Sequence, residues 1–158
     1  MIGVVSLFAF YPSKKSNEPT PKESIILQSI ISFLDQVHFK PIPIDDTFSK
    51  NLFNDYLNVL DQSKRFLIKS DIDQMKQYEL ILDDEVRAGK LDFFDLSIKL
   101  LDNSLARTKN YTSEILSQPM NFDKKEVAQV DYDSLDYAKN EKELKERWYQ
   151  ALKYEVLQ

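Results

Sequence analysis

The scarcity of glycine is the feature that most limits what this chain can fold into. Among 158 residues there are two glycines, Gly3 and Gly89. Sandwiches, barrels and glycine-rich phosphate loops need positive φ angles at several turns, and glycine adopts these angles at little cost. β-Sandwich and barrel folds are therefore disfavoured, and the dinucleotide-binding and P-loop fingerprints are absent. The length suits one domain that buries roughly 70% of its unfolded surface.

The inventory of reactive side chains excludes several kinds of site. The chain has one histidine, His38, and no cysteine. This removes zinc motifs that need two histidines, iron–sulfur clusters, thiol nucleophiles and disulfides. The net charge of −5 disfavours a nucleic-acid partner, because such binding depends on Lys and Arg neutralising phosphates. We therefore expect no cofactor, no metal ion and no nucleic acid.

Residues 1–21 differ in composition from the rest of the chain. Met1–Tyr11 is apolar and uncharged and is too short to span a bilayer as a helix, and a polar, proline-rich linker follows up to Pro21. The apolar segment has the length of an export-signal core but lacks a basic start and a clean cleavage site. Two interpretations stand, a remnant of an export signal or an apolar arm of the fold. The domain proper is expected over residues 22–158.

Capping residues and apolar periodicity predict about five helices. Thr20 and Glu23 suit a capping box, Gly89 suits a left-handed C-cap, and Asn140 with Glu143 suits a second capping box. The predicted helices run to about Val37, over Asp46–Leu60, from a Ser70 cap to Gly89, over Asp92–Ser117, and from the Asn140 cap onward. Met120–Lys139 lacks a helical period, and Val130–Asp133 alternates as an extended segment does. The sequence thus predicts an all-α fold, an irregular bundle with a long extended segment before the last helix.

The apolar positions of each helix predict which side faces the core. For the first helix they are Ile26, Ile30, Phe33, Leu34 and Val37, and for the second Phe48, Leu52, Phe53, Tyr56, Leu57 and Leu60. For the fourth they are Phe94, Ile98, Leu101, Leu105, Thr108, Thr112 and Ile115, and for the last Leu144, Trp148, Ala151, Leu152 and Leu157. We expect each of these sets to be buried.

No motif in the sequence defines a catalytic or metal site. His38 precedes a Pro-x-Pro helix exit, where a surface position is the ordinary interpretation. The consecutive acids of Asp83–Glu85 point around a helix rather than towards one ion. Asp131, Asp133 and Asp136 lack the glycine and the distal glutamate of an EF-hand loop. We therefore assign no catalytic, cofactor-binding or metal-binding residue.

Aromatic and apolar residues supply the candidates for contact with a partner or another domain. Trp148, Tyr149 and Tyr154 suit a docking cluster, although core packing is the commoner role of such residues. Phe66 and Ile68 belong to a short apolar stretch between helices. If that stretch is exposed, it adds to the same contact surface.

Four separated stretches of the chain carry a family resemblance. They read YLNVLDQSKRFLIKSDID at 56–73, EVRAGKLDFFDL at 85–96, PMNF at 119–122 and KNEKELKERWYQALKYEVL at 139–157. In order and spacing they closely resemble the N-terminal helical region of tail-specific proteases, the bacterial carboxy-terminal-processing peptidases. The resemblance covers most of residues 25–157.

The resemblance implies an exported enzyme of the periplasm or cell envelope. In this family a helical N-terminal domain precedes a PDZ domain and a peptidase core with a catalytic serine and lysine. The helical domain has no catalytic residue and helps to enclose the active site. The implied partners are the PDZ and peptidase domains, protein substrates with apolar C-terminal tails, and a lipoprotein adaptor. Because no position up to Gln158 corresponds to a catalytic residue, we expect the isolated chain to lack proteolytic activity.

A second hypothesis places the chain in another class, a stand-alone helical interaction module of the cell envelope. Such a module would dock a partner through the face near Trp148 and through Phe66–Ile68. The hypothesis requires both of these surfaces to be exposed. An enzymatic function of the chain itself has no motif behind it.

Overall fold

A computed structural model describes residues 21–39, 42–124, 126–127, 129 and 134–157. In these ranges it confirms the all-α fold, with six helices and one isolated bridge between Ile68 and Ala138. The helices are α1 (Pro21–Val37), α2 (Asp46–Leu60), α3 (Lys69–Met75), α4 (Leu82–Ala88), α5 (Asp92–Leu116) and α6 (Glu141–Val156). None of these helices combines the length and apolar character needed to cross a bilayer. The predicted Thr20 cap and the extended Val130–Asp133 lie outside the described residues.

Helix ends follow the capping residues that the sequence offers. The Asp45 carboxylate accepts the backbone N–H groups of Thr47 and Phe48 and so begins α2. The Asn140 side chain accepts the N–H of Glu143 at 3.0 Å and begins α6, as predicted. The Glu143 carboxylate reaches back to the N–H of Lys139 at 3.1 Å, one residue before the cap. Gly89 ends α4 with φ 65°, which confirms the predicted left-handed C-cap.

The predicted helix from Ser70 to Gly89 is wrong, because two helices occupy this stretch. α3 ends at Met75, a short 3₁₀ turn follows over Lys76–Tyr78, and α4 begins at Leu82. The N-cap of α3 is Ile68 instead of Ser70, and its N–H is accepted by the Asp71 carboxylate at 3.0 Å. The break changes the chain direction so that Leu82 becomes buried while α4 packs on α2. Apolar spacing continues across the break and gives no signal of it.

Two clusters of buried apolar side chains form the core of the described region. The first joins α2, α3, α4 and the N-terminal half of α5, and the second joins the C-terminal half of α5 to α6 and to the chain around Ile68 and Ala138. In the first cluster the Phe93 ring lies 5.6 Å from Phe53, 5.0 Å from Tyr56 and 5.7 Å from Tyr78, measured between centroids. α5, about 37 Å long at 1.5 Å per residue, spans both clusters.

Most of the buried side of α5 lies one position before the predicted one, whereas Thr108 and Ile115 are buried as predicted. The buried residues are Phe93, Ser97, Leu100, Ser104, Thr108, Tyr111 and Ile115, whereas Phe94, Ile98, Leu101, Leu105 and Thr112 are half-buried. Ser97 and Ser104 are fully buried. The Ser97 hydroxyl donates to the carbonyl of Phe94 and forms a hydrogen bond with the Tyr56 hydroxyl at 2.6 Å. A prediction from hydrophobicity misses this side because two of its central positions are small and polar.

α1 is turned the opposite way from the prediction. The five side chains expected in the core are between 45% and 65% exposed: Ile26, Ile30, Phe33, Leu34 and Val37. The side of the helix towards α4 carries Ser24 and Gln28 together with the half-buried Leu27 and Ile31. A Cβ on Gly89 would lie 2.3 Å from Ser24 Oγ and 2.9 Å from Gln28 Nε2. The apolar periodicity correctly predicted a helix, but the expectation that this side faces the core is wrong.

Two further positions expected in the core lie at its edge or outside it. Leu157, predicted on the buried side of the last helix, is 67% exposed because α6 ends at Val156. Leu52 of α2 is 36% exposed, whereas Phe53 and Leu57 beside it are buried. The core therefore takes a narrower strip of α2 and α6 than the apolar spacing suggests.

Candidate functional site

The turn between α2 and α3 is built around one buried carboxylate. Asp61 accepts the N–H groups of Arg65 at 2.9 Å, Phe66 at 3.0 Å and Leu67 at 2.8 Å. Within this turn Lys64 has φ 49°, an uncommon angle for a residue with a side chain. The carboxylate thus fixes a turn that local sequence preference alone does not favour.

Trp148 joins α6 to this turn. Its indole N–H donates to the carbonyl of Arg65 at 2.7 Å, and the Arg65 guanidinium lies 4.6 Å from the ring centroid. The Phe66 ring meets the indole edge to face, with centroids 5.9 Å apart. A cleft of about 260 Å³ opens beside Trp148, between Lys64, Arg65 and Arg147. The indole is half-buried, and it holds two parts of this domain together.

The other candidate contact residues are distributed over different surroundings. Ile68 is buried in the second core cluster, whereas Tyr149 packs at the edge of that cluster. Tyr154 is 42% exposed. Leu67 and Ile68 are buried, so the stretch Phe66–Ile68 is not exposed as the interaction hypothesis requires. A contact of these residues with a partner or another domain stays a prediction.

The segment between α5 and α6 is attached to the bundle near its start. Lys153 of α6 is buried, and its ammonium lies 2.7 Å from a carboxylate oxygen of Glu126. The same ammonium lies 5.7 Å from the Phe122 ring and 5.9 Å from the Tyr149 ring. Hydrogen bonds from Lys153 and then Lys124 lower the pKa of Glu126, so its carboxylate stays charged in this pair. The pair fixes this part of the segment to α6.

Backbone carbonyls attach the same segment near its end. The Lys64 ammonium donates to the carbonyl of Leu135, and the Arg147 guanidinium donates to that of Asp136 at 2.8 Å. The N–H of Lys69 donates to the carbonyl of Ala138 at 2.9 Å, which forms the bridge to the chain before α3. The described residues of the segment therefore bind the bundle at both ends.

A polar cluster that the sequence did not predict connects α3, α5 and α6. The Arg107 guanidinium donates to the carbonyl of Phe66 at 2.9 Å and to the Asp71 carboxylate at 3.0 Å. It also lies 3.7 Å from Glu141, which accepts a hydrogen bond from the Tyr111 hydroxyl at 3.3 Å. Burial, and then the charge of Glu141, raises the pKa of Tyr111 to about 12. These groups form a structural junction.

The acids of α4 are engaged in the fold. Asp83 is buried; it accepts the Ser49 hydroxyl at 2.6 Å, and its N–H donates back to the same oxygen at 2.8 Å. The Ser49 hydrogen bond lowers the pKa of Asp83 despite its burial. Glu85 accepts the N–H of Phe93 at the start of α5, and burial raises its pKa. Among the described residues no group of three or more His, Asp and Glu side chains is placed to hold a metal ion.

These contacts define the class of protein as an all-helical domain. Charged side chains of one helix bind groups on another element and so fix the shape of the domain. The sequence matches the family described as tail specific protease N-terminal domain over residues 30–158, and the chain belongs to this family. A curated relative, the tail-specific protease of Haemophilus influenzae, is 25% identical over 131 residues. The match covers 78% of this chain and 18% of the relative. The chain therefore spans less than a fifth of the length of that relative.

Proposed function

We propose that this domain is a non-catalytic scaffold of a tail-specific protease, which helps to enclose the active site of a serine–lysine peptidase. The observation that carries the proposal is the match of residues 30–158 to the N-terminal domain of such proteases. The small share of the Haemophilus relative that is matched supports a parent protein with further domains. Peptide-bond cleavage would then belong to those domains.

The structure supports a mechanism based on shape. Three features join elements that are distant in sequence: the hydrogen bond of Trp148 to Arg65, the Arg107 cluster and the long buried side of α5. Side chains held in such bonds resist deformation, because each displacement leaves a buried polar group unpaired. A rigid wall of this kind beside an active site excludes folded proteins and admits unfolded tails, without contact with the scissile bond.

The proposed setting and partners follow from the same assignment. The parent protein would act in the periplasm or cell envelope, and the apolar Met1–Tyr11 supports export as the remnant of a signal. The PDZ and peptidase domains of the same protein, substrates with apolar C-terminal tails and a lipoprotein adaptor are the proposed partners. No cofactor is required for a serine–lysine peptidase.

The experiment begins with the DNA on both sides of the coding sequence. An in-frame continuation into PDZ and peptidase domains is expected after Gln158. The longer polypeptide should cleave an unstructured protein, whereas the purified 158-residue chain should not. Deletion of residues 22–158 from the longer polypeptide should leave cleavage of a short peptide and weaken discrimination against folded proteins. Cleavage by the purified 158-residue chain would overturn the assignment.

A second candidate is the stand-alone helical interaction module. The observation in its favour is the exposed apolar side of α1, because monomeric soluble proteins rarely expose large contiguous apolar patches. A stop codon directly after Gln158 in the gene would favour this candidate, and its partners would then be sought by crosslinking from α1.

A further inference from the structure

The exposed side of α1 is the largest departure of this domain from an ordinary amphipathic bundle. We call Ile26, Ile30, Phe33, Leu34 and Val37 together the α1 stripe; its side chains are 45–65% exposed. The apolar surface continues beyond the helix, where Phe39 is fully exposed and Ile42 is 69% exposed. Side chains left in contact with water forgo the favourable free energy that burial of their apolar surface contributes. Monomeric soluble proteins rarely expose large contiguous apolar surfaces, so the exposure of this one favours a contact that covers it.

The orientation of α1 is fixed by its contact with α4. Gly89 lacks a side chain, and Ser24 and Gln28 occupy the space that a Cβ would need. Because this side of α1, which also carries the half-buried Leu27 and Ile31, lies towards α4, the α1 stripe points away from the bundle. Turning the helix to bury the stripe would place larger side chains where Gly89 leaves little room. The stripe therefore stays available for a contact outside the described residues.

The chemistry of α1 narrows the choice of occupant. Residues 24–34 carry no charged side chain over about three helical turns. Helices that lie on membranes usually carry Lys and Arg opposite the apolar side, and here α1 has Lys22 as its one basic residue. Phosphate groups, acidic peptides and anionic lipids thus find little to bind. An apolar, charge-poor protein surface fits best.

Area and chain length distinguish a second copy from another part of the same polypeptide. Stable dimers commonly bury about 1,200–2,000 Å² in total, and the stripe offers one side of a single helix. A surface on the same polypeptide has an effective concentration in the millimolar range and needs less area. The match covers 18% of the Haemophilus protease, so most of that relative lies outside the matched domain.

We infer that the α1 stripe is the surface through which this domain packs on the part of its own polypeptide that follows Gln158. The occupant is an apolar, charge-poor surface with space for the Phe33 ring. This inference rests on the proposed function, since it requires a longer parent protein. The inference places the main interdomain contact on α1, whose residues 24–34 carry no charged side chain, and not on the aromatic residues near Trp148.

The test uses the absence of cysteine from the chain. Ile30→Cys places one thiol on the stripe, and Val59→Cys is the matched control, because Val59 is an 85% exposed apolar residue of α2. Each variant is prepared in the 158-residue chain and in the longer polypeptide, whose own cysteines are replaced by serine. The rate of maleimide labelling is measured by mass spectrometry. We expect the Ile30→Cys thiol to react at least about tenfold more slowly in the longer polypeptide than in the 158-residue chain. A tenfold difference corresponds to a contact that stabilises the covered state by about 1.4 kcal/mol. Val59→Cys should react equally in both.

A second substitution separates burial by the occupant from other causes. Phe33→Asp should leave the thermal midpoint of the 158-residue chain nearly unchanged, because Phe33 is 65% exposed. In the longer polypeptide it should restore fast labelling of the Ile30→Cys thiol, because a carboxylate cannot be buried unpaired in an apolar contact.

The outcomes separate this inference from the proposed function. A stop codon directly after Gln158 overturns both. If the longer polypeptide is an active protease and the Ile30→Cys thiol reacts as fast as in the 158-residue chain, the inference alone fails. Slow labelling in the 158-residue chain that becomes fast on dilution identifies a second copy as the occupant. Slow labelling that persists on dilution identifies the apolar Met1–Tyr11 of the same chain, and protection by neutral lipid vesicles identifies a membrane. Each of these results overturns the inference.

Discussion

Removal of the Asp61 carboxylate should be one of the most damaging single changes in this domain. The side chain accepts hydrogen bonds from the backbone N–H groups of Arg65, Phe66 and Leu67. Leu67 is fully buried. In Asp61→Ala water can reach the N–H groups of Arg65 and Phe66, whose residues are half-buried, but not readily that of Leu67. The turn then keeps the hydrogen bonds of Trp148 to the carbonyl of Arg65 and of Arg107 to the carbonyl of Phe66.

The expected cost follows from these three bonds. A buried donor left unsatisfied costs about 1–3 kcal/mol, and a hydrogen bond replaced by water about 0.5–1.5 kcal/mol. Together they give a loss of about 3 kcal/mol in the free energy of unfolding. For a chain of this size that lowers the thermal midpoint by roughly 6–12 °C. Asp61→Asn keeps one carbonyl acceptor and should lose roughly half as much.

Thermal and urea unfolding, followed by circular dichroism, measure this loss. Trp148 is the sole tryptophan, so its emission reports the turn directly, and a red shift is expected in Asp61→Ala. Asp102→Ala, at an exposed position of α5, is the matched control and should change the midpoint little. Equal midpoints for Asp61→Ala and Asp102→Ala would refute the reasoning, as would an equal loss for Asp61→Asn and Asp61→Ala.

Three further changes test other parts of the structure. Gly89→Ala should lower the free energy of unfolding by about 1–2 kcal/mol through its positive φ, and its new methyl group should displace α1. Adding Ser24→Ala should recover only the part of this loss that comes from the clash with the Ser24 side chain. An unchanged free energy of unfolding for Gly89→Ala in urea would contradict the close approach. Burial raises the pKa of Glu85, so the folded state binds more protons and stability falls as the pH rises from about 4.3 through the folded pKa. Glu85→Gln should therefore raise the thermal midpoint at pH 7, with the gain vanishing below about pH 4, and a gain independent of pH would contradict this cause. Lys153→Met should speed proteolysis between α5 and α6 more than Lys124→Met does, because Lys153 is the buried partner of Glu126; equal rates would show that the buried pair does not hold the segment.

Local sequence preference determined where several helices begin and end. The Asp45 carboxylate, the Asn140 side chain and the left-handed Gly89 act within a few residues of their own position. Their effect is therefore readable without knowledge of the fold. The same holds for the family resemblance, which depends on the order and spacing of residues and which the match over residues 30–158 confirms.

Contacts between distant residues decided what periodicity could not. The buried side of α5 includes Ser97, whose suitability for burial depends on the Tyr56 hydroxyl of α2 lying beside it. The division between α3 and α4 depends on α4 packing against α2, where Ser49 meets Asp83. No local pattern encodes these two pairs, because each of them joins residues of two different helices that are more than 30 positions apart in the sequence.

The two candidate contact surfaces, around Trp148 and on α1, show the same contrast between local and tertiary information. The sequence by itself determined that α1 is a helix with one apolar side and that Trp148 lies on α6. Only the tertiary structure decided that Trp148 joins two parts of the domain and that the apolar side of α1 faces outward. The physical reason is that amphipathicity states which side of a helix avoids water, whereas the shape of the neighbouring elements, here the space left at Gly89, decides which side finds a partner within the domain.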